Sequence, residues 1–392
     1  MYPIPAVLVN CIDTRSPDVR AVLANHAVTI TDDFAAADDV QKKWPTPPSD
    51  RRMFVVHIQG LKAVANTAKL ADGFPGWPIL ALVNGSPDAA GLYQVSRAGA
   101  AQILPYPFEH DDLQQALDRI VTQFGLRSAP ARVIAVSSAA PGSGATVLAV
   151  NIAAEASRTF EIPTVLTELE FGVGRLAGYL NLTPAISNRE ILVATDPPLV
   201  SAVQDALTPA GPRLQVLSGP FRMVSPFQPA PGRVAHLIGV LRRLSPLTVV
   251  DLPATFDATY FEAATLADRV VLIGRQDVPT IQAMRLVRDS LNGRGLPDPM
   301  LVLNSFDSEL EAFSPTKVGE VLRSPAPRTV RQDAASVRNA GDSGKPLLEI
   351  APRSATRTDI LRLTTDLLND LGYHLSSPGP QRRSFLARLF GE

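Results

Sequence analysis

The chain holds a single cysteine, Cys11, among its 392 residues. One thiol excludes an internal disulfide framework and suits a reducing cytosol. A small buried hydrophobe is the ordinary reading of such a residue. No apolar run reaches the roughly 18 residues of a membrane span. The first residues lack the charged-then-apolar order of a secretory signal. Charge is scarce as well: 19% of residues are charged and the formal net charge is −1. A near-neutral chain presents no global electrostatic footprint for nucleic acid or anionic membrane. Internal repeats are missing too. Hydrophobic residues (45%) and prolines (35) are plentiful. The prolines gather between elements, at Pro45, Pro47 and Pro48, at Pro226, Pro229 and Pro231, and at Pro378 and Pro380, where they punctuate the chain. This composition predicts a soluble globular protein of two or three domains.

Residues 132–147, Arg-Val-Ile-Ala-Val-Ser-Ser-Ala-Ala-Pro-Gly-Ser-Gly-Ala-Thr-Val, carry the strongest local signal. Residues 133–136 are apolar and rich in β-branched side chains, and read as a buried strand. Pro141, Gly142, Ser143 and Gly144 form a tight turn, and the Ala-rich run 147–156 reads as a helix. Strand, glycine turn and helix is the layout of a phosphate-binding loop, in which the turn amides and the helix N-terminus face an anion. An ordinary βα turn has the same outline. Against the Walker pattern, Gly144 and Thr146 fit, but Ala145 holds the lysine position and Ala139 the first glycine position. The wording Ser-Ala-Ala-Pro-Gly-Ser-Gly-Ala-Thr resembles the variant Walker loop of the MinD/ParA ATPases. That resemblance puts the family's signature lysine at Ala140 and its Walker lysine at Ala145. Loss of the Walker lysine is a habit of one branch, the CpaE/TadZ proteins of Flp (Tad) pilus assembly.

The first 125 residues predict strands at 6–9, 27–30, 53–58, 79–83 and 101–104, with helices between. In the last helix Leu113, Leu117, Ile120, Val121 and Phe124 share a face and Gly125 stops it. Five alternating units predict a flavodoxin-like parallel sheet. Residues 97–108, ending Leu104-Pro105-Tyr106-Pro107-Phe108, resemble the close of a response-regulator receiver. Receiver phosphorylation needs an acidic cluster for Mg²⁺, an acceptor carboxylate and a lysine. Here the acceptor position holds His57 and the lysine position holds Tyr106. Only Asp13 remains of the acidic pair, beside Cys11 and Ile12. The expectation is a pseudo-receiver used for docking. His57 reads first as a packed strand-end histidine and second as a phosphoryl acceptor.

After a polar linker at 126–131, the second α/β domain covers 132–375. Its strand at 164–167 runs into Glu168-Leu169-Glu170-Phe171-Gly172-Val173-Gly174-Arg175-Leu176-Ala177-Gly178-Tyr179-Leu180. This segment resembles the CpaE pattern Asp-Leu-Asp-Leu-x-Phe-Gly-Asp-Leu-Ala-x-Tyr-Leu, with both leading aspartates lengthened to glutamate. Further strands are expected at 213–217, 247–251, 267–273 and 300–303, with a helix at 234–244. Thr248-Val249-Val250-Asp251 ends a strand on a carboxylate, as a Walker B strand does. Thr280 is the expected cap of the helix that follows Asp277-Val278-Pro279. Asn304 matches a family asparagine that contacts adenine, although asparagine is also a common strand-end turn former. The segment 333–347, with Gly344-Lys345-Pro346-Leu347, resembles the family's closing element.

The resemblance implies ATP or ADP with Mg²⁺ at Pro141, Gly142, Ser143, Gly144, Ala145, Thr146, Glu168, Asp251 and Asn304. Thr146 and Asp251 would hold the metal, and Glu170 would position water. Each lost lysine contact costs about 1.5–3 kcal/mol, so weak binding is expected and fast turnover is not. The tail 376–392 ends in a basic amphipathic stretch. Phe385, Leu386, Leu389 and Phe390 lie on one side and Arg382, Arg383 and Arg388 mostly elsewhere, suited to anionic membrane, a partner groove or the domain itself. The function implied is a localisation and assembly factor of a Flp pilus or type II secretion-like system. It would be a cytoplasmic homodimer, recruited to the inner-membrane face or a cell pole by contacts with that machinery. A slow MinD/ParA-like ATPase acting as a spatial regulator is the alternative. A partition-type DNA binder lacks the basic footprint, so no nucleic-acid partner is expected.

Overall fold

The computed structural model describes residues 4–10, 18–25, 28–48, 51–85, 88–108, 110–124, 126, 131–194, 200–225 and 227–373. Cys11, Ile12, Asp13, Gly125, most of the linker and the tail 376–392 lie outside the described residues. The chain divides into one unit of Met1–Pro130 with Leu199–Ser201 and another of Ala131–Pro198 with Ala202–Glu392.

In the first unit the apolar segments become β1 (Ile4–Val9), β2 (Val28–Phe34), β3 (Met53–Ile58), β4 (Ile79–Asn84) and β5 (Gln102–Tyr106). All pair in parallel, in the order β2-β1-β3-β4-β5. That is the flavodoxin-like order. Apolar clusters cover both faces, and every residue of β3 is buried, which is why the strand reads as an unbroken hydrophobic run. The two positions that replace receiver chemistry meet each other. His57 is 2% exposed, and its Nε2 lies 2.7 Å from Asn84 Oδ1. Its Nδ1 lies 3.2 Å from Gln59 Nε2, and the Tyr106 ring packs edge-on at 5.4 Å. Both ring nitrogens are engaged and water is excluded, so His57 is a packed residue rather than a phosphoryl acceptor.

The second unit contains β6 (Arg132–Ser138), β7 (Thr164–Glu168), β8 (Thr208–Gly211), β9 (Leu214–Leu217), β10 (Leu247–Leu252), β11 (Arg269–Gly274), β12 (Met300–Phe306) and β13 (Arg328–Arg331). The order is β13-β12-β11-β6-β10-β7-β9-β8, and every pairing is parallel except β8 with β9. The expected 267–273 strand starts later because Asp268 is a starting anchor. Its carboxylate accepts from the Val133 amide at 2.8 Å and pairs with Arg132 and Arg242. The helix Val278–Gly293 corrects another expectation. Its cap is Asp277, whose Oδ1 accepts from the Thr280 amide at 2.8 Å. Thr280 is thus the capped residue, since a cap side chain reaches forward to an amide of the first turn. Asp277→Ala is expected to cost about 1 kcal/mol of stability, read as a lowered urea midpoint; an unchanged midpoint would mean the cap contributes nothing.

The helix Ala145–Arg158 carries the glycine loop and is locked from behind. Buried Glu155 accepts two bonds from Arg357, at 2.7 and 3.0 Å, on the helix Ala355–Asp370. Asn151 Oδ1 accepts from the Leu347 amide at 2.7 Å. Around these polar ties Leu148, Ile152, Ile360 and Leu367 pack into the main apolar cluster.

Candidate functional site

β6 lies between β10 and β11, so its C-terminal end opens beside theirs. The glycine loop begins there. Gly142 and Gly144 adopt φ of +83° and +96°, a region that costs other residues strain. Gly144 is also crowded, since a Cβ there would lie 2.3 Å from Asn304 Nδ2. That nitrogen donates to the Ser143 carbonyl at 2.9 Å. Ser143 Oγ donates to the Ala140 carbonyl at 2.9 Å, and the Ala145 amide donates to Ser138 Oγ at 3.3 Å. The loop is therefore braced from inside by Ser138, Ser143 and Asn304. Past Ala145, whose amide Ser138 takes, the next amides of the first turn have no partner within the helix, as in any helix.

Parallel register sets the acids. Asp251 on β10 pairs with Val136 on β6 and with Glu168 on β7, so two carboxylates stand side by side at the strand ends. Asp251 is 6% exposed, and its Oδ2 accepts from Thr146 Oγ1 at 2.7 Å. Burial pushes its carboxyl up to about 7. The Thr146 hydroxyl opposes that rise, Glu168 adds to it, Arg175 opposes it and Glu170 adds to it. Glu168 is 2% exposed and accepts from three amides, those of Arg175 at 2.8 Å, Leu176 at 3.2 Å and Gly219 at 2.8 Å. Its carboxyl is raised by burial, against the pull of those amides. Glu170 Oε1 folds onto its own turn and accepts from the Phe171 and Gly172 amides, both at 3.1 Å.

A cavity of about 420 Å³ opens where these pieces converge. Pro141, Gly142, Gly144, Ala145, Thr146, Glu168, Glu170 and Asp251 all line it. Ser143 and Asn304 are not among its walls; they hold the loop instead. Ser138, Arg175, Tyr179, Pro253 and Thr255 also line it, although the sequence reading did not assign them to the site. Lys345 lies elsewhere and pairs with Glu349 at 3.7 Å. An apolar groove of about 410 Å³ adjoins the cavity, walled by Phe171, Val173, Met223, Phe227, Pro253 and Tyr260 among others. Met223 (89%) and Val173 (51%) at its rim are strongly exposed.

No protein-family model and no curated protein matches the chain. Solved structures do. The chain is similar to a ParA family ATPase from Chlorobium tepidum TLS at 20% identity, over 60% of this chain and 98% of the other, with a TM-score of 0.54. This is the MinD/ParA fold. The septum site-determining protein MinD of Pyrococcus horikoshii OT3, complexed with Mg-ADP, is 16% identical over 60% of this chain and 96% of its own, with a TM-score of 0.52. A chain of the MinC:MinD cell division protein complex of Aquifex aeolicus is 17% identical over 61% of this chain and 96% of its own, with a TM-score of 0.51. The residues of this MinD/ParA-like unit fit magnesium and a phosphate group. The Thr146 hydroxyl and Asp251 carboxylate meet at 2.7 Å, hard oxygen donors of the kind magnesium takes. The first turn beside them presents amides of the kind phosphate oxygens take. No helix among the described residues is long and apolar enough to cross a membrane.

Proposed function

We propose that the chain is a nucleotide-binding localisation factor of the CpaE/TadZ kind, with little or no hydrolysis. The observation that carries this reading is the Thr146–Asp251 contact beneath a braced glycine loop whose lysine positions are Ala140 and Ala145. Thr146 and Asp251 would hold Mg²⁺, which would neutralise phosphate charge. Gly142, Gly144 and Thr146 would offer amides to phosphate oxygens, while the Ala145 amide is held by Ser138 Oγ. Poor hydrolysis follows from Glu170. One of its oxygens is committed to two amides of its own turn, a poor posture for orienting a water molecule, where errors near 1 Å matter. The groove with Met223 and Val173 beside the site is a surface through which bound nucleotide could be read by a second copy or by machinery proteins. The pilus assignment itself rests on the sequence resemblance.

Calorimetry of Mg-ATP on the full chain tests the reading, with Asp251→Ala as the comparison. Binding at sub-millimolar affinity that disappears in Asp251→Ala is the expected result. Absence of heat at millimolar ATP in the parent protein would rule out a nucleotide role. Steady phosphate release faster than about one turnover per second would replace the localisation factor with an ordinary ATPase.

A further inference from the structure

We propose that Arg175 is the phosphate-binding cation of the cavity, standing in for the lysines absent at Ala140 and Ala145. The assignment rests on the nucleotide reading above and names the residue that makes it electrostatically workable. Among the described residues lining the cavity, Arg175 is the one cation, and the glycine loop supplies none. A di- or triphosphate placed against the loop would otherwise meet Glu168, Glu170 and Asp251 with amides and the proposed magnesium alone to hold it.

The backbone of Arg175 is fixed while its side chain is left available. Its amide donates to Glu168 Oε2 at 2.8 Å. The preceding Gly174 donates its amide to the Pro220 carbonyl at 2.7 Å and packs so close to Gly219 that a Cβ on Gly174 would lie 2.6 Å from that backbone. The guanidinium itself makes no hydrogen bond or ion pair among the described residues. That is informative in a cavity with three carboxylates. Glu168 and Glu170 accept from amides and Asp251 from Thr146; the guanidinium acts on Asp251 through its charge, without a hydrogen bond to it. A guanidinium is always charged and offers paired N–H groups that match phosphate oxygens. The pattern this segment resembles has aspartate at the same place, so the charge is reversed in a chain that has also lost both lysines.

The test is calorimetry on the full chain with Mg-ATP and with magnesium pyrophosphate, which carries phosphate without the base. Arg175→Ala and Arg175→Gln are compared with the parent at low and moderate salt. Both variants are expected to bind both ligands about ten- to a hundred-fold more weakly, with a shallower salt dependence and an unchanged melting temperature. Arg175→Lys should recover part of the loss. Parent-like affinity in Arg175→Gln would overturn the assignment and leave the nucleotide reading standing. A parent protein that binds neither ligand would overturn both.

Discussion

In magnesium-free buffer, Asp251→Asn is expected to be more stable than the parent protein. Its margin should widen by about 3 kcal/mol between pH 5 and pH 8. The folded carboxyl titrates near 7 against an ordinary 3.8, chiefly because it is buried. Below 3.8 both folded and unfolded chains hold the proton, and the group costs nothing. As pH rises, the unfolded chain ionises first, so stability drains away until the folded group also ionises near 7. The full gap corresponds to about 4 kcal/mol. Asparagine has the same shape, still accepts from the Thr146 hydroxyl and never ionises. Urea unfolding of both proteins at pH 5, 6.5 and 8 in EDTA reads the effect; parallel stability profiles would show that Asp251 is ordinary. Loading the parent with magnesium and nucleotide should release a proton near neutrality, so its binding tightens with pH.

Glu168→Ala is expected to lower stability by about 3–5 kcal/mol, because a buried donor stripped of its acceptor costs about 1–3 kcal/mol and three amides share this carboxylate. Those amides belong to Arg175, Leu176 and Gly219, so one side chain ties β7 to two loops. The Asn188 side chain completes the arrangement by donating to the Glu168 carbonyl. Glu168→Asp restores the residue of the resembled pattern but withdraws the carboxylate by about one methylene, and should fall between parent and alanine. Urea midpoints order the three proteins. Limited proteolysis should cut the alanine variant first around 171–176 and 219–225. An alanine variant that unfolds with the parent and resists protease would remove the carboxylate from this role.

Glu168 also marks where sequence reading stopped. Read as a motif acid, it belongs with the nucleotide. In three dimensions it lines the cavity, yet its oxygens serve backbone amides, one of them 51 residues away at Gly219. Distant partners of that kind leave no local pattern. Asn304 is similar: its place at a strand end was legible, its grip on Ser143 across 161 residues was not. By contrast, the loop glycines and the Thr146–Asp251 pair were readable, because a glycine turn between strand and helix and an acid closing an apolar strand are local signatures. The alternating elements of the first unit were readable for the same reason, since continuous apolar runs are what a doubly covered parallel sheet requires. β8 and β13 were not foreseen. Thr208-Pro209-Ala210-Gly211 and Arg328-Thr329-Val330-Arg331 are four residues each, too short for a period to emerge. Arg175 stayed hidden because nothing in its own segment says that a loop 45 residues further on will press against Gly174 and leave Arg175 on the cavity wall.

Those two short strands have a consequence for assembly. They are the outermost strands of the larger sheet. On one flank Pro209 removes a backbone donor and the strand runs against its neighbour; on the other, Arg328 and Arg331 stand exposed. Proline and charge at a sheet margin are the devices that stop a further strand from adding on. Strand addition at either rim of this sheet is therefore disfavoured. A second copy would then be met through side-chain surfaces rather than through a shared sheet.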